Sequence, residues 1–171
     1  MAATIDATVG GANANCYVES VAVAQDYYDE RLNVSAWTDA TEDEKTRALI
    51  SATRWLDTVP FTGVKVSQSQ ALQWPRYGAT DHDGYEFDTA SIPLLIQHAT
   101  MELALVLLRD ADGGTDTLAA TGMEGFDSVK VGPIAVDLRG GKKAADLPDH
   151  VKAMLMPVAM YAGGIGRTEL A

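Results

Sequence analysis

Apolar positions recur at three- and four-residue spacing in four stretches of the chain and at two-residue spacing in one. Val21, Ala24, Tyr28 and Leu32 fall on one helical face, and Ser20 supplies a capping oxygen just before them. This predicts a helix from Ser20 to about Leu32. Asn33 to Asp39 reads as a connector that carries Trp37. Thr41-Glu42-Asp43-Glu44 has the form of a capping box, a hydroxyl followed three residues later by an acid, and its acids suit the positive end of the helix dipole. The helix it opens should run to about Asp57, with Ala48, Ala52, Trp55 and Leu56 buried and Arg47 and Arg54 facing out.

Ser91 and Pro93 mark the start of a third helix, Leu94 to Arg109, that is apolar almost all round. Gln97, His98 and Glu102 are its exceptions. A helix with no polar face is either central or covered on two sides, here by the rest of the fold or by a second subunit. Val129 and Val131, then Ile134, Val136 and Leu138, alternate with polar residues on either side of a Gly-Pro turn, the pattern of a β-hairpin over 128–138. Pro148 opens a last helix with Val151, Met154, Leu155 and Val158 on one face, and Pro157 should interrupt it. The expected fold is mainly α: a small helical bundle with an inserted β-hairpin and extended N- and C-terminal arms. Residues 1–16 form the N-terminal arm, 17–162 the domain, and 163–171 a C-terminal tail.

Between the second and third helices the period is lost, and the most distinctive stretch of the chain stands there: Gln70-Ala71-Leu72-Gln73-Trp74-Pro75-Arg76. Proline fixes its own φ and biases the residue before it towards an extended backbone, so the indole of Trp74 is presented at a defined angle. Two readings stay open for Trp74, Pro75 and Arg76. In one they form a structural clasp, Trp74 sealing an edge of the core and Arg76 reaching outward. In the other they are anchors of a subunit interface, where Trp and Arg are favoured. Residues 77–90 follow as a loop rich in Gly and Asp.

Net charge is −11 and the sequence pI about 4.5, which argues against wrapping nucleic acid, since that requires a basic groove to displace counterions. No secretory signal is visible at the N-terminus, and the apolar run Leu103 to Leu108 is far too short to span a bilayer. The single cysteine, Cys16, forbids an internal disulfide and, with no histidine nearby in sequence, makes a poor nucleophile. Asp81-His82-Asp83-Gly84 resembles part of an EF-hand loop, but setting Gly84 at position 6 puts Ala79 at position 1 and Ala90 at position 12, where acids are required. His82, His98 and His150 are widely spaced; His98 and Glu102, four apart on a helix, can pair. Gly163-Gly164-Ile165-Gly166 lacks the Lys and hydroxyl of a phosphate loop and reads as a hinge, and Gly140-Gly141-Lys142-Lys143 is a small basic spot. These residues point to no enzyme, metal or cofactor.

Taken in order, Ala14-Asn15-Cys16-Tyr17-Val18, Ala24 with Tyr27-Tyr28, Ala48-Leu49-Ile50, Ala52-Thr53-Arg54-Trp55-Leu56-Asp57, Phe61-Thr62-Gly63, the 70–76 run and Ile92-Pro93 resemble the head-to-tail adaptor (connector, head-completion) proteins of tailed bacteriophages. That family is often labelled DnaT-like single-stranded-DNA-binding. The resemblance covers about residues 13–108, and Cys16 stands where the family pattern has Ser. It implies a virion protein of the neck, made in the host cytoplasm: a homododecameric ring below the portal that extends the channel for double-stranded DNA without holding it tightly. It also implies the portal and a stopper or tail-completion protein as partners. In that setting the tail, with Ile165, Arg167 and Leu170, would dock on the portal. The alternative is the label itself, a single-stranded-DNA-binding replication accessory protein, which would need aromatics set in a positive groove.

Overall fold

The structure, a computed structural model, describes residues 2–111, 128–131, 134–137 and 147–160. Among them it is mainly helical, with five helices and two short antiparallel strand pairs. Helix α1 (Val21–Asp29) is capped by Ser20, whose Oγ accepts the Val23 N–H at 3.3 Å. It ends before Leu32, which is 84% exposed and not part of the buried face. Asn33, at φ +60°, turns the chain there, a conformation Asn tolerates better than most residues. The expected connector then contains a short helix, α2 (Ser35–Asp39). It delivers Trp37 into the core, with the ring centroid 4.4 Å from that of Tyr28 and the indole N–H on Gln25 Oε1 at 3.0 Å.

Helix α3 (Glu42–Leu56) has both halves of its capping box: the Glu44 N–H bonds to Thr41 Oγ1 and the Glu44 carboxylate takes the Thr41 N–H at 2.8 Å. Its buried side is wider than the expected stripe, adding Thr46, Leu49, Ile50 and Thr53, while Trp55 is half-buried. Helix α4 (Leu94–Ala111) is the spine, packed against α2, α3 and the last helix. Its middle, from Ala99 to Leu105, is buried at every position, as a helix without a polar face requires. Helix α5 (Asp149–Leu155) buries Val151 and Leu155, and stops two residues before Pro157.

The polar stretch after α3 forms a strand pair the sequence did not predict. β1 (Val64–Lys65) runs antiparallel to β2 (Arg76–Tyr77), with Val64 opposite Tyr77 and Lys65 opposite Arg76. The segment just before β1 is held from its other side by residues after α5: the Thr62 N–H bonds to Val158 O at 2.8 Å, the Met160 N–H to Pro60 O at 2.7 Å. The predicted hairpin is β3 (Ser128–Val131) and β4 (Ile134–Asp137), paired Val131 to Ile134 across the turn.

The N-terminal arm is extended, and it is tied down rather than loose. Ala14 and Cys16 are buried, and Ala3 N–H bonds to Asp43 Oδ1 at 3.1 Å. Asn15 staples the segment to itself, its Oδ1 taking the Asp6 N–H and its Nδ2 bonding to Thr4 O, both at 2.9 Å. Small polar residues hold this arm by hydrogen bonds where apolar surface is scarce. Residues 112–127, the basic spot at 140–143, and the tail with Ile165, Arg167 and Leu170 lie outside the described residues.

Candidate functional site: the Trp-Pro-Arg clasp

The 70–76 run is built inward. Gln70, 3% exposed, splints the turn: its Oε1 accepts the Ser67 N–H at 2.9 Å, and its Nε2 donates to Leu72 O at 2.9 Å and Pro75 O at 3.1 Å. Lys65 Nζ adds a bond to Gln70 O at 3.0 Å. The Gln73 N–H reaches across to α3 and the arm, donating to Asp57 Oδ1 at 3.2 Å and to the Tyr17 hydroxyl at 3.1 Å. Tyr17 in turn donates to the same Asp57 oxygen. Burial pushes the Tyr17 hydroxyl well above its ordinary value, and the Asp57 charge adds to that. Burial also raises the Asp57 carboxyl, and its hydrogen bonds from Tyr17 and Gln73 offset the rise only in part.

The Trp74–Pro75 peptide bond is cis, and Trp74 is buried edge-on between two phenylalanines, 5.6 Å from the Phe61 ring and 5.8 Å from the Phe87 ring. Its indole N–H has no hydrogen-bond acceptor among the described residues. Trp74 therefore works as packing surface.

Arg76 corrects the sequence expectation. It does not reach outward; it is 8% exposed and turned into the chain. Its Nε donates to Thr62 O at 2.7 Å, its Nη1 to Gln73 O at 3.2 Å and Gln73 Oε1 at 3.0 Å, and its Nη2 to Phe61 O at 3.3 Å and Gly63 O at 2.7 Å. All five guanidinium donors are thereby used, and every acceptor is a neutral carbonyl or amide. Burial lowers its pKa, yet a guanidinium starts so far above neutrality that the charge stays. Gly63 makes the close approach possible: it sits at φ +72°, and a Cβ there would lie 2.2 Å from Tyr77 O. The clasp thus joins residues 61–63, 70–76, the C-cap of α3 at Asp57 and Tyr17, just after the N-terminal arm, through side chains drawn into the fold.

A second polar cluster sits on α4. Glu102 does not pair with His98. Arg31 grips its carboxylate with two bonds, Nε to Oε1 at 2.5 Å and Nη2 to Oε2 at 2.6 Å, and Tyr27 donates to Oε1 at 2.7 Å. His150 Nε2, on α5, lies 3.6 Å from Oε2, and the His98 ring stacks instead on Tyr27 at 4.8 Å. Burial acts to raise the Glu102 carboxyl, but the bonds from Arg31 and Tyr27 and the neighbouring positive charge outweigh it, and the net shift is downward. Burial, reinforced by the Glu102 bond and charge, pushes the Tyr27 hydroxyl up to about 12. The Arg31–Glu102 pair spans most of the described chain. Its one trace in the sequence is the acid set in the apolar middle of that helix.

The Asp81 carboxylate is occupied within its own loop, accepting the N–H groups of Asp83 and Tyr85, both at 2.9 Å. Cys16 is buried, which pushes its thiol up and away from the reactive thiolate. Among the described residues no group of three His, Cys, Asp or Glu side chains is placed to hold a metal ion, and no helix is long and apolar enough to cross a membrane.

Among the described residues, most lysine and arginine side chains have a partner on the chain, Arg47 and Lys152 at its surface. Arg31 is bound to Glu102, Arg47 to Asp43, Arg76 and Lys65 to carbonyls, Arg109 to Asn33 O and Lys152 to Asp149. Lys45 lies over the Trp37 ring, and Arg54 is exposed. A family model described as "Putative DnaT-like ssDNA binding protein" matches residues 1–170. No curated protein and no solved structure matches the chain.

Proposed function

The chain belongs to the family described as putative DnaT-like ssDNA-binding proteins, and we propose that, within it, this chain is a structural, non-enzymatic protein of the phage virion. It is read as a head-to-tail adaptor that forms a ring below the portal, extends the DNA channel and docks the next neck or tail component. One observation carries this reading: among the described residues, Trp37, Trp74, Arg31 and Arg76 are held by partners within the fold, not set together on a surface where single-strand binding needs them. Stacking platforms set aromatics in a positive groove. Here Trp37 and Trp74 are buried, Arg31 and Arg76 are consumed by internal partners, and the net charge is −11. A wall that lets DNA slide past benefits from that acidity, because it does not trap a polyanion. Self-association and contacts to portal and stopper proteins are parts of the same proposal.

The family description favours a second reading, a single-stranded-DNA-binding replication accessory protein. The two separate on binding and on location. The adaptor reading expects no mobility shift of a single-stranded oligonucleotide at micromolar protein and about 150 mM salt, a range in which even basic proteins lose much affinity. It also expects density for this chain at the neck of purified virions. Tight, salt-sensitive oligonucleotide binding with no copy in the particle would reverse the choice.

A further inference from the structure

Val64 and Tyr77 stand opposite each other in the β1–β2 pair, so their side chains share a face, and that face is open: Val64 is 64% exposed and Tyr77 52%. The chain leaving β2 turns back within a few residues and presents a second tyrosine, Tyr85, at 74% exposure. This turn is built before any partner arrives. Asp81 N–H bonds to Tyr85 O at 2.9 Å and Gly84 N–H to Asp81 O at 3.2 Å, the Asp81 carboxylate holds two further N–H groups, and Thr80 bridges Glu86. Its base is anchored by Phe87 against Trp74. An exposed tyrosine on a preformed turn needs little further ordering to bind.

The charge along the turn that follows β2 is acidic. From Tyr77 to Ala90 the charged residues are Asp81, Asp83, Glu86 and Asp88, with no Lys or Arg. The two basic residues of the strand pair itself, Lys65 and Arg76, keep their charge, but Arg76 is turned into the chain and Lys65 is drawn to Gln70 O.

We infer that the β1–β2 face and the 77–88 turn form a docking surface for a protein partner whose contacting surface is basic and carries arginine. Guanidinium groups stack on tyrosine faces and pair with carboxylates, and this surface supplies both together. A second copy of this chain brings the same acidic turn, so apposing two such faces sets like charges against each other. Nucleic acid and anionic membranes are repelled for the same reason. The inference does not rest on the adaptor reading, since it holds for any partner of that chemistry.

The test uses the isotope-labelled full-length protein and a defined probe, a short peptide of alternating arginine and leucine, titrated by NMR. Shift changes are expected at residues 64–65 and 76–88, weakening as salt rises. The Tyr77→Ala/Tyr85→Ala double variant should lose about tenfold in affinity. Asp83→Asn/Glu86→Gln should also weaken binding; these carboxylates take no part in the turn, so that variant covers the case in which loss of the tyrosines disturbs folding. Glu42→Gln, on α3, should bind like the parent. Shifts spread equally over the acidic start of α3, or unaltered affinity in both double variants, would overturn the inference. So would sedimentation showing, without peptide, a dimer that the tyrosine variant dissolves, since a second copy would then cover the face.

Discussion

Arg76 holds a permanent positive charge with no carboxylate against it among the described residues. Five neutral acceptors substitute for water, and three of them are the carbonyls of Phe61, Thr62 and Gly63. Lysine keeps the charge but has three donors on a flexible stem and cannot match that fan of oxygens. Arg76→Lys should therefore cost about 2–4 kcal/mol in chemical denaturation, from carbonyls left buried without a donor. Trp74→Ala removes the ring between Phe61 and Phe87 and should cost about 3–5 kcal/mol. An unaltered unfolding midpoint for Trp74→Ala in the isolated protein would return the residue to a pure interface role. Glu102 links stability to pH. Its folded pKa lies below the unfolded value, so its contribution is complete above roughly pH 4.3 and is lost as pH falls through the lowered folded value. Asp57 has the opposite sign: its raised folded pKa means a penalty above that pKa that protonation relieves. Glu102→Gln should accordingly lower stability at neutral pH and flatten the acid side of the stability curve, read from denaturation midpoints between pH 3 and 7.

At the scale of elements, the best-defined end is that of α3. Thr41→Ala removes the hydroxyl that accepts the Glu44 N–H and should cost about 1 kcal/mol, visible as a lower melting temperature with an unchanged helical signal. That cap was legible because its parts lie three residues apart; so were Ser20 on α1, Pro93 ahead of α4 and the alternation of β3 and β4. The β1–β2 pair was not legible: two residues per strand give no period to read, and its register depends on Gly63 passing close to Tyr77. The end of α1 was misplaced because spacing alone counts Leu32 into the stripe, while the left-handed turn at Asn33 is a matter of backbone conformation. The clasp was visible as an unusual run of residues, but its direction was not. Arg76 finds its acceptors on residues 61–63, and a spacing rule says nothing about where a carbonyl thirteen to fifteen residues away will point.

For the whole molecule, the described core joins the arm, the helices around α4 and the clasp. Deleting residues 163–171 removes Ile165, Arg167 and Leu170, and on the adaptor reading it should keep the melting temperature while reducing incorporation into particles. Full incorporation of the truncated protein would shift the portal contact to α5 or the hairpin. The seam between residues 60–62 and 158–160 has a mechanical consequence. Two hydrogen bonds, Thr62 N–H to Val158 O and Met160 N–H to Pro60 O, tie the end of the described chain to the segment before β1, whose Phe61 and Thr62 carbonyls Arg76 grips. Tension applied beyond Met160 would thus load that seam and, through the guanidinium, the turn at 70–76, before it could peel α5 from α4. Arg76→Lys should then lower the rupture force for a pull from the C-terminus far more than for a pull from the N-terminus, where the load enters through Ala3 and Asn15.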